Sequence, residues 1–120
     1  MRNRQRQKKM TNLESLLREW AVLEPDWCEL EVIQHGYVRF YFQSADVFVY
    51  GGDIEMYQDD TDSDLLLPLR QAIETRGWSW ATGCKGEQYY GRVMGNEIEG
   101  ERPVEALLAA YLKEVENDKP

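Results

Sequence analysis

An α+β fold, built as a layered α/β/α-type sandwich, is predicted for this chain from three observations. Apolar residues recur at helical spacing in three separate segments. Between these segments the period switches to alternation, as in strands. The alternating stretches are joined by short glycine-bearing turns, which favour antiparallel pairing. The predicted order is helix, three to four mostly antiparallel strands, helix, two-stranded hairpin, helix. At 120 residues the chain is long enough to bury a core without disulfides or metals. It reads as a flexible basic arm over residues 1–9, a single domain over 10–117 and a tail over 118–120.

The first helix is expected in TNLESLLREWAVL. Thr11 and Glu14 form a T-x-x-E capping box, and Leu13, Leu16, Leu17, Trp20 and Leu23 make one apolar face. Pro25 ends it. In WCELEVI, Cys28, Leu30 and Val32 alternate with Glu29 and Glu31. A His35-Gly36 turn leads into YVRFYF, with Val38, Phe40 and Phe42 on one face and Tyr37, Arg39 and Tyr41 on the other. VFVY, Gly51-Gly52 and DIEMY read as a hairpin with a two-glycine turn. Aromatic residues on both faces of these strands predict a sheet covered on more than one side.

The second helix is expected in LLLPLRQAIETRG, capped by Ser63 or Asp64, with Pro68 in or near its first turn and Gly77 as the C-terminal cap. WSWATGC and EQYYGRVM follow as a hairpin turning at Lys85-Gly86, with a further turn at Gly95-Asn96. PVEALLAAYLKEVEN closes the chain as an amphipathic helix with Pro103 at its first position. A helix–hairpin arrangement recurs in the two halves, as an echo of element order only.

Charge is the most informative bulk property. The net is −8, from fourteen basic and twenty-two acidic residues. Arg2, Arg4, Arg6, Lys8 and Lys9 lie within the first nine positions, so the rest holds nine basic against twenty-two acidic residues, a net of −13. Such a body repels phosphate backbones and attracts basic proteins. The acidic residues cluster as Asp53, Glu55, Asp59, Asp60, Asp62 and Asp64, and again as Glu97, Glu99 and Glu101. One helix cap needs one residue, so capping explains part of each cluster and a solvated or partner-facing acidic rim explains the rest.

Several chemistries fail on their own requirements. An EF-hand template laid on Asp60, Asp62 and Asp64 meets Leu65 where glycine is needed and Gln71 where a bidentate glutamate closes the loop. Cys28 and Cys84 lack metal-ligand spacing and read as buried free thiols; no metal or cofactor is expected. The glycines of GCKGEQYYG lead into a strand, whereas phosphate cradles open onto a helix. His35, the single histidine, has only Tyr37, Tyr41 and Cys28 nearby in sequence, which is no catalytic signature. Trp78, Trp80, Tyr89 and Tyr90 lack the surrounding cations of a base-stacking platform and read as core. No apolar run approaches a membrane span, and the basic start leads into no signal-type segment, so a cytoplasmic location is expected.

From Thr61 onward the chain resembles the phage ABA sandwich domain family. The run TDSDLLLPLRQAIETRGWSW, the strand EQYYGRVM and the helix entered through RPVEALLAAYL carry the resemblance, over residues 61–115. The N-terminal half departs from the pattern through its extra strands. The resemblance implies an α/β/α fold and a phage or mobile-element origin, and brings no catalytic residues. The resulting expectation is a non-enzymatic accessory protein whose acidic surface binds a basic, nucleic-acid-binding host protein, by analogy an anti-CRISPR or other anti-defence inhibitor. Two alternatives follow from other features: nucleic-acid binding through the basic arm and aromatic strand face, and a small enzyme with a cleft at His35. A homodimer through a face bearing Trp20, Trp27, Trp78 or Trp80 also stays open.

Overall fold

The structure is a computed structural model that describes the backbone of residues 2–118 and the side chains of residues 13–118. It is α+β, with four helices and two separate three-stranded antiparallel sheets. The chain divides into two compact units, Met1–Asp64 and Leu65–Pro120. Where one layered sheet is expected from sequence, each unit has its own.

The first unit opens with α1 (Arg2–Leu23). Leu13, Leu17 and Trp20 are buried as read from the sequence, joined by Ala21, while Leu16 and Leu23 are only half-buried. The helix starts ahead of Thr11 instead of at a Thr11–Glu14 box. The reason is local: Arg, Gln and Lys are good helix formers, and residues 2–10 hold neither glycine nor proline to stop propagation. Side chains of the basic residues 2–9 lie outside the described residues.

β1 (Glu29–Val32), β2 (Val38–Phe42) and β3 (Val47–Tyr50) pair in sequence order. Phe40 lies opposite Leu30 and Val49, while Tyr41 lies opposite Glu29 and Phe48. Val38, Phe40, Phe42 and Val49 are buried, with Trp20 set 5.6 Å from the Phe42 ring. The other face, expected to be covered, is open: Phe48 is 44% exposed and Tyr50 42% exposed. His35 and Gly36 both take positive φ in the turn between β1 and β2, as the His-Gly pair suggests.

The expected hairpin after Gly51-Gly52 is not formed. DIEM is instead the short helix α2 (Asp53–Met56). Gly51 donates to the Val38 carbonyl at 2.9 Å and so ends the β2–β3 ladder, and its carbonyl then accepts from Ile54 at 3.4 Å. A Cβ on Gly51 would lie 2.8 Å from Val38 Cγ2. Of the two apolar residues in DIEM, only Ile54 is buried while Met56 is exposed, so the alternation seen in sequence is not the alternation of a strand.

The next helix, α3 (Gln58–Thr75), also begins earlier than the cap at Ser63 or Asp64. The whole DDTDSD stretch is therefore helical, with Asp59 and Asp60 in the first turn, where the macrodipole favours them. Pro68 falls well inside this helix, not in its first turn. Its missing N–H leaves the Asp64 carbonyl without the usual i→i−4 donor. Leu65, Leu69, Ala72 and Ile73 keep one continuous buried face across it. Gly77 at φ +74° closes the helix as expected, donating to the Glu74 carbonyl at 2.9 Å.

In the second unit, β4 (Trp80–Lys85), β5 (Gln88–Val93) and β6 (Asn96–Gly100) pair in sequence order, and α4 (Pro103–Asp118) packs on them. The expected two-stranded hairpin gains β6 from residues otherwise read as an acidic lead-in to the helix. Helix, three antiparallel strands, helix is thus an order that occurs twice along the chain. α4 lies so close to β5 that a Cβ on Gly91 would be 2.4 Å from the Leu107 backbone. At the start of α4, Glu105 reaches back to accept the Glu101 backbone N–H at 2.9 Å. Gly100 makes room for that carboxylate, since a Cβ there would lie 2.8 Å from Glu105 Oε1.

Cys28 is a buried free thiol, as expected; its Sγ donates to the Leu17 carbonyl at 3.6 Å, and burial pushes its pKa up. Cys84 is free but exposed, contrary to expectation, because it lies near the end of β4, where the face it shares with Thr82 runs out to solvent.

Two outcomes follow. Gly91→Ala forces the Leu107 backbone off β5 and is expected to destabilise by about 1–3 kcal/mol, read as a lowered midpoint in urea unfolding. A thiol reagent at pH 8 is expected to label Cys84 alone in the native protein and both cysteines in urea, which mass spectrometry of the labelled peptides distinguishes.

Candidate functional site

The open face of the first sheet is set by alternation. Because Val38, Phe40, Phe42 and Val49 turn inward, Arg39, Tyr41, Phe48 and Tyr50 must turn outward. The register sets Arg39 opposite Tyr50 and Tyr41 opposite Phe48. Tyr41 and Phe48 stack with centroids 4.5 Å apart. The Arg39 guanidinium sits 4.5 Å from the Phe48 centroid and donates to Glu31 through Nε at 3.0 Å, with Nη2 at 2.8 Å from the same carboxylate oxygen. Hydrogen bonds to Tyr50 and to Glu31 hold the Arg39 pKa above its ordinary value.

This aromatic face runs into a groove. Phe48, Val49 and Tyr50 of β3, Asp53 of α2, Tyr57 at the corner between the helices, and Asp60, Thr61 and Asp64 of α3 enclose a cavity of about 160 Å³. Within α3, Asp60, Thr61 and Asp64 fall at i, i+1 and i+4 and so share one side of the helix, with Tyr57 just before its start. The corner is fixed by Thr61. Its backbone N–H donates to the Tyr57 carbonyl at 2.9 Å, and its buried hydroxyl donates to the Asp53 carbonyl at 3.3 Å. Ile54, buried on the same short helix, anchors α2 from the apolar side.

Of the acidic residues read from the sequence, Asp53, Asp60 and Asp64 are brought together around this cavity. Glu55, Asp59 and Asp62 are not among its lining residues. Asp59 is exposed in the first turn of α3, and Glu55 and Asp62 are engaged by other groups of the chain. Among the described residues, the carboxylates of Asp53, Asp60 and Asp64 have no cation beside them. Some other carboxylates are matched, Glu14 with Arg18, Glu31 with Arg39, Glu74 with Arg70 and Asp118 with Arg76, and others such as Asp26, Asp46 and Glu99 are in no ion pair among the described residues.

The second acidic group lies in the second unit. Glu97 and Glu99 stand on one face of β6, alternating with Asn96, Ile98 and Gly100. Glu97 is 2.7 Å from Lys85 Nζ, and that hydrogen bond holds its pKa below the ordinary carboxylate value. Glu101 follows the strand, with its backbone N–H taken by Glu105. Lys85 also lies 4.9 Å from the Tyr90 ring, which itself covers Gly83.

Other sequence-derived candidates separate in space. Tyr89 and Tyr90, being adjacent in β5, project from opposite faces and form no common platform with Trp78 and Trp80. Trp78 packs against Tyr111 at 5.9 Å and Trp80 donates to Glu74 at 3.0 Å. His35 lines a broad hollow with Val32, Ile33, Gln34 and Tyr37. Tyr41 is not part of that hollow, its hydroxyl donating to Asp46 at 3.2 Å. Among the described residues no group of three or more His, Cys, Asp or Glu side chains could hold a metal ion, and no helix is long and apolar enough to cross a membrane.

Phe48, Tyr50, Tyr57 and Thr61 are the groove residues that sequence reasoning missed as a site. The alternation in VFVY carries the signal for the first two; the other two needed α3 to be traced back to Gln58. Thr61→Val keeps the bulk and removes the buried hydroxyl. It is expected to cost about 1 kcal/mol, measured by urea unfolding, and to raise amide exchange through Asp53–Met56 above that of β2.

No family model matches the chain, and neither a curated protein nor a solved structure matches it.

Proposed function

We propose that this protein is a non-enzymatic binding protein that engages a basic segment of a partner protein through the groove between β3, α2 and the start of α3. The observation that carries this reading is the set of Asp53, Asp60 and Asp64, unmatched by cations among the described residues and gathered around one cavity with Phe48, Tyr50 and Tyr57. Like charges at i, i+4, as in Asp60 and Asp64, repel by a few tenths of a kcal/mol on a helix. A bound cation converts that repulsion into attraction. Electrostatic attraction by the acidic chain also speeds encounter with a basic partner.

The partner class follows from charge. Nucleic-acid-binding proteins are the common bearers of dense basic surface, and the net −8 of this chain repels nucleic acid itself. The resemblance of residues 61–115 to a phage-encoded family sets this reading in a phage or mobile-element context, where masking a host protein's nucleic-acid site would serve as anti-defence. Glu97, Glu99 and Glu101 play a lesser part in it, since Glu97 already has Lys85.

The test is affinity capture from host lysate at low and moderate salt, comparing wild type with an Asp53→Asn, Asp60→Asn, Asp64→Asn variant. The expected outcome is a basic protein retained by wild type, weakened by salt and lost from the variant. Identical partner sets from the two proteins would sink the proposal. Circular dichroism of the variant guards against a folding artefact.

A further inference from the structure

We propose that residues 53–64, the short helix α2 and the first turns of α3, form a lid that swings as one body off the cavity beside β3. β3 supplies one wall of that cavity and the lid supplies the other. The motion needs no ligand, so it stands apart from the partner proposed above. Little holds this stretch down: of its side chains only Ile54 and Thr61 are buried. From Leu65 onward the same helix is well anchored, with Leu65, Pro68, Leu69, Ala72 and Ile73 buried. The chain's two compact units also divide after Asp64. Segments with few buried apolar side chains are those that open locally while the remainder stays folded.

Opening as one body requires bonds inside the segment, and these are present. The Tyr57 N–H donates to the Asp53 carbonyl at 2.9 Å and the Thr61 N–H to the Tyr57 carbonyl at 2.9 Å. The Thr61 hydroxyl donates to the Asp53 carbonyl at 3.3 Å, and the Gln58 side-chain amide to the Glu55 carbonyl at 3.4 Å. α2 is thereby tied to the start of α3, and the two move together or not at all.

Both ends carry a weak joint. At the C-terminal end Pro68 has no N–H for the Asp64 carbonyl, so one rung of α3 is missing where the lid meets the anchored part. At the N-terminal end a Cβ on Gly52 would meet nothing within 4 Å. Its backbone, at φ −68° and ψ −21°, is one of many conformations open to glycine. Gly51 is held in place by its bond to the Val38 carbonyl and by the close Val38 side chain, so the pivot falls at Gly52. The bond that bridges this joint, from the Ile54 N–H to the Gly51 carbonyl, is long at 3.4 Å.

The experiment is amide hydrogen exchange on the full chain, followed residue by residue by NMR, in wild type, Gly52→Ala and Pro68→Ala. In wild type the amides of Tyr57, Thr61 and the turn that follows to Asp64 are expected to share one protection factor. That factor is expected to be lower by about tenfold or more than those of β2 and of residues 69–75. Alanine fits the Gly52 backbone and restricts the open lid, so Gly52→Ala is expected to slow the lid's exchange about threefold. Pro68→Ala restores the missing rung and is expected to slow it as well. If loss of the buried Pro68 ring instead loosens residues 69–75, the Gly52→Ala result decides alone. Lid protection equal to that of β2 would overturn the proposal. So would protection that rises residue by residue from Gln58 inward with Tyr57 exchanging separately, which is ordinary fraying of a helix end. Lid exchange unchanged in both variants would overturn the assignment of the joints.

Discussion

The candidate site depends on one small polar contact, the buried Thr61 hydroxyl on the Asp53 carbonyl. Four residues of α2 are too few to be stable as an isolated helix. Their place is fixed from two sides, by Ile54 in the core and by Thr61 reaching across from α3. With that corner set, Asp53 comes onto the same rim as Asp60 and Asp64, although the sequence separates them by a tyrosine turn. Gly51 makes the approach feasible. Gly51 sits against the Val38 side chain, where a Cβ would collide, and hands the chain directly from β3 to α2.

Electrostatics then separates the two halves of the acidic inventory. Carboxylates in the second unit largely serve the fold: Glu105 caps α4, Glu74 receives Trp80 and Glu97 pairs with Lys85. The exposed Lys85–Glu97 pair contributes little, but each contact occupies the carboxylate concerned. Around the groove the balance is different. Asp60 gains from the first turn of α3 through the macrodipole, which favours negative charge at a helix start, but Asp64 lies a turn further on and gains little.

The open aromatic face has a similar logic. Phe48 and Tyr50 are half-exposed on an edge strand, a costly placement for large rings without a use. Arg39, on the central strand β2, covers part of them. What is left uncovered borders the three aspartates. Apolar contact and charge therefore meet at one location, the combination that anchors a long basic side chain by both its stem and its head.

Much of the fold was legible in the sequence because each signal was local. The buried faces of α1 and α4, the His35-Gly36 turn, the β4–β5 hairpin and the Gly77 cap all follow from period, turn chemistry and capping within a few residues. The acidic and basic asymmetry was equally plain. The misreadings share a cause. DIEMY alternates like a strand, but Ile54 alone has a core to enter; DDTDSD resembles a loop, but the early turns of α3 absorb it; NEIEG resembles a lead-in, but β5 offers it an edge. In each case a local pattern was overruled by what the segment joins: the core for Ile54, the rest of α3 for DDTDSD, and β5 across a two-residue turn for NEIEG. By itself the sequence determined the α+β class, the charge and the identity of the carboxylates. Only the tertiary structure decided which of them meet, because convergence depends on where the β3–α2–α3 corner folds and on which face of the strand its rings are left exposed.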